Sequence, residues 1–300
     1  MRHTLKLQNE RLTAVITPDL GGGLLSLSGM GTGGGSFDLL RPTDIDAARG
    51  PGDLACFLMA PYCNRIADGR FAVAGDDISL TPNFAPEPHA IHGVVWLSQF
   101  RVVTVDAARA TLALDHAPTA DWPWAMSCQA EYRLDGAALE IILSVTNADA
   151  RPFPSGVGIH PYFPRPEQAH IKTDVAALIA TDDRKLPADE APDHPAVAAL
   201  RSGNPLPIGL DNQLSEWSGE ALISWSDREY AVHLSSQPSL RWAQIFTPEG
   251  EDFFCFEPVS HRVNGHNASA DRLAETGVVI LQPGETQAVC FRLSLATGRS

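Results

Sequence analysis

The feature that most constrains the fold of this chain is two strand-like runs on either side of a short turn. Asp135-Gly136 separates Ser127–Leu134 from Ala137–Asn147, and both runs are apolar or alternate between apolar and polar residues. Asp-Gly is a strong signal for a tight hairpin, because both central turn positions need positive φ angles. We therefore predict a pair of antiparallel strands at this point.

The same arrangement recurs from one end of the chain to the other. Further predicted strands lie on either side of turn residues. Near the N-terminus they are His3–Gln8, Arg11–Thr17 and Leu24–Ser28. Later in the chain, one turn separates Ala221–Trp225 from Tyr230–Ser235, and another separates Gly277–Leu281 from Thr286–Leu295. The 24 glycines and 23 prolines punctuate the chain with turns. Such a composition favours many short strands over long helices.

Helical periodicity is scarce. Ala188–Leu200 is the best helical candidate, but Pro192 and Pro195 limit it to a turn or two. Ala268–Glu275 is a second short candidate, and no long repeat or linker divides the chain. We therefore predict an all-β protein with few short helices, built as one large antiparallel β-sandwich domain over residues 1–300.

The charge balance excludes several classes of partner. The chain carries 22 Lys and Arg against 36 Asp and Glu, a formal net charge of −14. Affinity for phosphate backbones and anionic lipids comes from clustered cations, so we expect neither nucleic acid nor a membrane as a partner. Hydrophobic residues make up 44% of the chain, which is enough for a sizeable core.

The termini and cysteines predict a cytoplasmic location. The N-terminal residues lack the apolar run of a signal peptide, and no stretch approaches the length of a membrane helix. The five cysteines are scattered, odd in number and without a CxxC pair, which predicts reduced thiols. They are Cys56, Cys63, Cys128, Cys255 and Cys290.

One glycine-rich segment fits a nucleotide-binding pattern but fails its structural test. Gly29–Gly34 matches G-x-G-x-x-G and follows an apolar strand. A dinucleotide site also needs a helix to open at the last glycine, so that its N-terminus faces the pyrophosphate. The following segment, Gly35–Pro42, is too short for this and ends in proline, so we predict a surface loop.

Four segments place polar residues among apolar or proline-rich neighbours, and they are Ala60–Phe71, His89–Trp96, Gly158–Pro164 and Phe253–His261. Taken singly, the histidines, Asn64 and Arg65 are also explained as loop residues with ordinary structural partners. Glu257 differs, because it follows a strongly apolar run. A buried carboxylate costs several kcal/mol unless it is paired or lies in a cleft, so Glu257 is a candidate functional group.

Together these segments resemble the aldose 1-epimerase (galactose mutarotase) family. The matching positions, in family order, are Asn64-Arg65-Ile66 with Gly69 and Phe71, His92-Gly93 with Trp96, His160-Pro161-Tyr162-Phe163, Asp211 in Leu210–Leu214, Cys255-Phe256-Glu257-Pro258, and Leu281–Glu285. Asn264-Gly265-His266-Asn267 departs from the family's usual Asp-Ala-x-Asn. The altered loop leaves the identity of the sugar open.

The resemblance implies a galactose mutarotase-like supersandwich that interconverts the α and β anomers of a free aldose, as a monomer or homodimer. It implies a base, an acid and a hydrogen-bonding histidine, which are Glu257, His160 and His92. It implies sugar-binding roles for Asn64, Arg65, Trp96 and Asp211. The reaction opens and recloses a hemiacetal, so no metal or cofactor is expected. We further expect the buried glutamate to favour a protonated histidine beside it.

Aromatic side chains commonly cover the apolar face of a sugar ring, and the candidates are Trp96, Phe163, Trp217 and Trp242. No cluster of Arg or Lys accompanies the motifs, which favours a neutral sugar over a phosphosugar.

Three alternatives stay open at this point. A metal site could draw on His89, His92, His261 and His266. The sandwich could bind sugar without turnover, since a fold does not determine a function. The substrate could be a phosphorylated or otherwise unusual sugar.

Overall fold

Strands dominate the part of the chain that the computed structural model describes, which is residues 2–31, 35–164, 169–238 and 240–297. The strands of the first half are β1 (Leu5–Gln8), β2 (Leu12–Ile16), β3 (Leu24–Met30), β4 (Ser36–Asp38), β5 (Cys56–Met59), β6 (Arg65–Ile66), β7 (Arg70–Val73), β8 (Asp76–Ser79), β9 (Ala90–Ile91), β10 (Arg101–Val105), β11 (Arg109–His116), β12 (Met126–Asp135) and β13 (Ala138–Asn147).

The second half adds twelve strands and one α-helix within the described residues. The strands are β14 (Phe153–Ser155), β15 (Gly158–Pro164), β16 (Ala169–Lys172), β17 (Ala177–Thr181), β18 (Pro187–Ala191), β19 (Asp211–Ser215), β20 (Glu220–Trp225), β21 (Tyr230–Ser236), β22 (Trp242–Phe246), β23 (Phe253–Val259), β24 (Val279–Leu281) and β25 (Thr286–Thr297). The helix is α1 (Pro195–Ser202), and the 3₁₀ helices are Pro51–Asp53, Ala67–Gly69, Val95–Leu97, Gly265–Asn267 and Leu273–Thr276.

Two large antiparallel sheets organise these strands. The 11-stranded sheet follows the order β1-β2-β3-β5-β15-β23-β22-β19-β17-β18, with β4 paired to β3. The 8-stranded sheet follows the order β10-β11-β12-β13-β25-β21-β20-β16. One hydrophobic cluster draws side chains from both sheets, for example Ile159 and Phe254 from the larger and Ile141 and Phe291 from the smaller. The predicted all-β sandwich is confirmed.

Most of the predicted hairpins are confirmed. β12 pairs with β13 and β20 pairs with β21, both antiparallel. In the first of these, Asp135 itself pairs with Ala138, so the turn is centred on Gly136-Ala137, one residue later than predicted. Glycine takes the positive φ there (56°), and the aspartate stays in the strand.

One predicted hairpin is wrong. The turn over Gln282–Glu285 exists, because the Glu285 amide donates to the Gln282 carbonyl at 2.9 Å. The strands on either side do not pair with each other. β24 pairs with β14, whereas β25 lies between β13 and β21 in the smaller sheet. The turn therefore sends the chain from one sheet into another.

The helical segments are as short as predicted. α1 begins at Pro195, where the missing N–H of proline leaves no hydrogen bond unmade. It ends at Gly203, which has a φ of 68°. The candidate at Ala268–Glu275 forms a 3₁₀ helix over Leu273–Thr276. Within the described residues, no helix has the length and apolar character needed to cross a membrane.

The glycine-rich segment Gly29–Gly34, predicted as a surface loop, begins inside β3, which contains Gly29 and Met30. β4 returns antiparallel to β3, with Met30 paired to Ser36. Thr32–Gly34, the last part of the G-x-G-x-x-G match, lies outside the described residues. A strand follows this segment in place of the helix that a pyrophosphate site requires.

Candidate active site

His160 and Glu257 face each other on neighbouring strands of the larger sheet. β15 pairs with β23 in a register that matches Gly158 with Val259 and Tyr162 with Cys255, which sets His160 opposite Glu257. The Nε2 atom of His160 lies 3.1 Å from Oε1 of Glu257. The two residues are 7% and 2% exposed. The register of two strands thus makes a buried acid–base pair.

The pair belongs to a polar row that crosses four adjacent strands. Glu257 is matched with Gln244 on β22, and Gln244 is matched with Gln213 on β19. The Gln244 amide donates to Oδ1 of Asp211 at 2.9 Å. Both glutamines are buried. The row therefore connects the acid–base pair to the carboxylate of Asp211.

His92 reaches the site from a loop with an unusual backbone. His92 has a φ of 59° and Gly93 a φ of 72°. A Cβ atom on Gly93 would lie 2.0 Å from the carbonyl oxygen of Ala60, so this close approach requires glycine. The backbone amide of His92 donates to the carbonyl of Asn64 at 3.1 Å. The backbone amide of Asn64 donates in return to Nδ1 of His92 at 3.2 Å. These bonds fix the imidazole.

The hydrogen bond from Asn64 also determines the tautomer of His92. Since Nδ1 accepts a hydrogen bond from the Asn64 amide, the neutral ring carries its own proton on Nε2. Burial lowers the pKa of His92 well below its usual value, and His160 and Arg65 lower it further. The ring centroids of His92 and His160 are 5.5 Å apart. His92 is therefore a neutral N–H donor beside the acid–base pair.

Burial controls the protonation of the His160–Glu257 pair. It raises the pKa of Glu257 well above its usual value, and Asp211 adds to the rise. Burial lowers the pKa of His160 from 6.5 to about 3. The expectation of a protonated histidine beside an ionised glutamate is therefore corrected. Both pKa shifts favour an uncharged pair, with the proton on the carboxyl and a neutral imidazole, because an uncharged pair is less costly in a low-dielectric site.

Arg65 and Asp211 meet in a group of four charged side chains, here called the charge quartet: Arg65, Glu87, Lys185 and Asp211. Arg65 forms two contacts with Glu87, at 3.0 Å and 3.3 Å. Its Nη2 atom lies 3.5 Å from Oδ2 of Asp211. Lys185 Nζ lies 3.8 Å from both carboxylates. The quartet has two positive and two negative charges, so its net charge is zero.

Lys185 is the most exposed member of the quartet. It lies in the turn between β17 and β18, has a φ of 62°, and its side chain is 55% exposed. Arg184, in the same turn, pairs with Asp68. Three members of the quartet, Arg65, Lys185 and Asp211, border a cavity of about 10 Å³, room for about one water molecule. A larger ligand therefore requires side chains of the quartet to move.

The loop that departs from the family motif supports Arg65 from behind. The Asn264 amide donates to the carbonyl of Arg65 at 3.0 Å, and its Oδ1 accepts from the amide of Ala67 at 3.0 Å. Asn264 and Asn267 also border a cavity of about 500 Å³, which shares Pro187 and Val263 with the small cavity. The altered loop thus both positions the site and shapes the space next to it.

The predicted sugar-stacking aromatics are mostly covered by other groups. Trp96 is 3% exposed, donates its ring N–H to Gly93, and packs edge-on against His92. This position indicates support for His92 rather than contact with a sugar. Phe163 and Trp217 lie in the hydrophobic cluster between the sheets. Trp242 borders the larger cavity, on the site side of the sheet.

Among the histidines considered for a metal site, His89, His92 and His261 have other partners, whereas neither ring nitrogen of the buried His266 has a hydrogen-bond partner among the described residues. His89 is fully buried, accepts the amide of Asp68 at 3.0 Å, and lies 3.1 Å from the carbonyl of Arg184. His261 accepts the amide of Cys63 at 2.9 Å and lies 2.8 Å from the carbonyl of Arg262. Both imidazoles therefore hold loops together. The described residues that converge as metal ligands are His160, Cys255 and Glu257.

Comparison with known proteins places the chain in a family. The family model described as Aldose 1-epimerase matches residues 3–294. The chain belongs to the aldose 1-epimerase family. The resemblance seen in the sequence motifs is thereby confirmed.

Relatives of this aldose 1-epimerase family member agree in sequence and fold. The uncharacterized protein YphB of Escherichia coli (strain K12) is 28% identical over 242 residues, which cover 78% of this chain and 81% of YphB. A crystal structure described as a "Putative aldose 1-epimerase" from Escherichia coli K12 is 25% identical, with a TM-score of 0.89 over 99% of this chain and 100% of that one.

A more distant structure supports the fold alone. A galactose mutarotase-like protein from Clostridium acetobutylicum is 20% identical, with a TM-score of 0.86 over 99% of this chain and 96% of that one. The galactose mutarotase-like sandwich predicted from the sequence is therefore confirmed.

Sequence reasoning about this aldose 1-epimerase family member missed three contributors to the site. Glu87 and Lys185 lie in loops without a motif, and only the folded chain brings them to Arg65. Gln244 carried a signal, because it is a single polar residue in the apolar run Trp242–Phe246. A buried amide needs a partner, and in this site that partner is Asp211.

Proposed function

We propose that this protein is an aldose 1-epimerase, a mutarotase that interconverts the α and β anomers of a free aldose. The observation that carries the proposal is the buried contact of 3.1 Å between His160 Nε2 and Glu257 Oε1. The contact joins an imidazole and a carboxyl group, two kinds of group that general acid–base catalysis uses. Membership of the family supports the same reaction class.

The reaction follows from the proton balance of this pair. Ring opening needs one group to take the proton of the anomeric hydroxyl and another to protonate the ring oxygen. The C1–O5 electron pair goes to the ring oxygen, and a lone pair of O1 completes the aldehyde. By resemblance Glu257 is the base and His160 the acid. The proton on Glu257 must therefore first move to His160, and the 3.1 Å contact provides a direct route.

Reclosure uses the same groups in exchanged roles. After opening, Glu257 is protonated and His160 is neutral, which is the arrangement that burial favours in the protein itself. Rotation about C1–C2 presents the other face of the aldehyde. His160 then takes the proton of the ring hydroxyl while Glu257 protonates O1. The pair finishes with the same proton count with which it began.

The surrounding residues suit a neutral sugar. The Nε2–H of His92 is placed to donate to an oxygen of the reacting centre, where charge develops. Asn64, Arg65 and Asp211 offer donors and acceptors to ring hydroxyls. The charge quartet has no net charge, so a neutral aldose leaves it balanced. We propose a free, unphosphorylated aldose as the substrate class.

The proposal includes a single-domain, cytoplasmic protein that acts as a monomer or homodimer. Light scattering of the purified chain tests the oligomeric state.

The deciding experiment follows anomerisation directly. Polarimetry on freshly dissolved α-anomers of several neutral aldoses should show a rate above the spontaneous one for at least one sugar. His160→Asn should lower that rate by about 10²-fold or more. If no aldose anomerises faster than in buffer, the protein is not a mutarotase, and sugar binding by calorimetry would then indicate a non-catalytic binding protein. If His160→Asn keeps the parent rate, the assigned acid is wrong.

A further inference from the structure

A cysteine thiol lies beside the acid–base pair, on the same face of the larger sheet. Cys255 and Glu257 are two residues apart on β23, so their side chains point to the same side. His160 lies across from Glu257 on β15. One ligand atom from each of the three residues lies within 4.8 Å of the others, and all three residues are buried. Sequence spacing does not show this group, because β15 and β23 are distant in the chain.

Two polar atoms of this group have no hydrogen-bond partner among the described residues. They are Nδ1 of His160 and Oε2 of Glu257. A buried polar atom without a partner is unfavourable, and a ligand that supplies a partner removes that cost. The proposed acid–base step uses Nε2 and Oε1, and it leaves these other two atoms unexplained. Oε2 of Glu257 is therefore available to a ligand in addition to the two atoms of the acid–base contact.

The donor set has the chemistry of a zinc site. Thiolate sulfur, imidazole nitrogen and carboxylate oxygen are the ligands that Zn²⁺ takes in proteins. Ligand atoms around a tetrahedral zinc lie about 3.3–3.6 Å apart. His160 and Glu257 are already at 3.1 Å. The widest separation, 4.8 Å, needs a side-chain shift of about 1 Å.

The charge balance favours zinc in a buried place. Zn²⁺ with one thiolate, one carboxylate and one neutral imidazole has no net charge, which avoids the penalty for a buried charge. Binding releases the thiol proton of Cys255 and the proton that the His160–Glu257 pair holds. Three protein ligands leave a fourth position open.

We propose that His160, Cys255 and Glu257 form a Zn²⁺ site, and that zinc in this site blocks anomerisation. The inhibition follows because the metal occupies the lone pairs that would otherwise carry the proton between sugar and protein. The binding part of the proposal stands on the ligand geometry alone. The inhibition rests on the proposed mutarotase function.

Cobalt tests the site without any measurement of activity. Co²⁺ titrated into the metal-free protein should bind at one equivalent and give a thiolate-to-cobalt charge-transfer band in the near ultraviolet, and Zn²⁺ should remove that band. Cys255→Ala should lose the band. Cys128→Ala is the matched control, since Cys128 is a buried thiol on β12 in the smaller sheet, and it should keep the band.

Inhibition is then measured with zinc alone. Zn²⁺ should inhibit the parent and Cys128→Ala at the same concentrations, EDTA should restore the rate, and Cys255→Ala should need at least about tenfold more zinc. Absence of the cobalt band, or its persistence in Cys255→Ala, overturns the site. If the protein binds cobalt and catalyses anomerisation but zinc does not inhibit it, the proposed inhibition is wrong. Absence of any anomerisation overturns the proposed function, and the cobalt spectrum still decides the site.

Discussion

The two faces of the same four strands differ in what covers them. On β15, β23, β22 and β19, the side chains directed toward the smaller sheet are apolar, among them Ile159, Phe256 and Ile245. The side chains on the opposite face form the polar row, which is His160, Glu257, Gln244 and Gln213. Both faces are buried. Burial by itself therefore does not distinguish the core from the site.

The difference lies in the covering elements. A second sheet covers the inner face, and the described side chains that it brings there are mostly apolar. Loops cover the outer face, with Leu54, Ile91 and Trp96 in a separate, smaller cluster. Loops also bring backbone amides and charged side chains, such as those of Asn64 and Lys185. A face covered by loops can hold titratable groups and can open to a ligand, whereas a face covered by a sheet is restricted to packing.

The largest expected effect comes from the outer face of β23. Glu257→Gln keeps the size of the side chain but removes its acid–base capacity. We expect the anomerisation rate, followed by polarimetry, to fall by about 10²–10⁴-fold. The free energy of unfolding should change far less than in the inner-face variant below. A rate within tenfold of the parent would show that Glu257 is not the base.

The neighbouring residue on the inner face gives the opposite pattern. Phe256→Ala leaves a cavity between the sheets, and it should lower the free energy of unfolding by about 3–5 kcal/mol. Urea unfolding measures this loss. The rate per folded molecule should stay within about threefold of the parent, because Phe256 faces away from the site. An equal loss of activity per folded molecule would contradict the separation of the two faces.

The two faces should also respond differently to acid. Burial lowers the pKa of His261 from 6.5 to about 4. Between these values the unfolded chain binds a proton that the native protein does not, so stability falls as the pH drops from 6.5 to 4. We expect His261→Gln to remove a loss on the order of 3 kcal/mol from the pH dependence of unfolding. Phe256→Ala, which removes no titratable group, should keep the slope of the parent.

The smallest effect concerns the exposed edge of the outer face. Lys185→Asn removes one charge of the quartet at a position where asparagine tolerates the positive φ. Exposed ion pairs contribute up to about 1 kcal/mol, so KM should rise by no more than about fivefold with kcat unchanged. Lys185→Arg should restore the parent KM. A large loss of kcat would instead place Lys185 in the chemistry.

Much of the site was readable in the sequence because its residues lie in short local motifs. His160 and Glu257 each have a neighbouring proline and aromatic residues in strand segments, and the loop around His92 needs Gly93 for its backbone. Local patterns of this kind can be recognised in the sequence without knowledge of the fold. Glu87, Lys185 and Cys255 were different, because their roles depend on contacts between segments far apart in the chain.

The protonation of the site also needed the tertiary structure. The sequence suggested an ionised glutamate beside a protonated histidine, as two isolated side chains in contact would favour. Burial of both residues reverses this preference. The extent of burial depends on which loops cover the outer face, and no motif encodes that cover.

The sequence by itself determined the all-β class, most of the hairpins, the family and the candidate site residues, because turn dipeptides, strand alternation and short motifs are local properties. The tertiary structure alone decided the partner strand of β24, the charge quartet, the neutral state of His160 and the group with Cys255. Each of these depends on strand register or burial, which arise only when distant segments pack together.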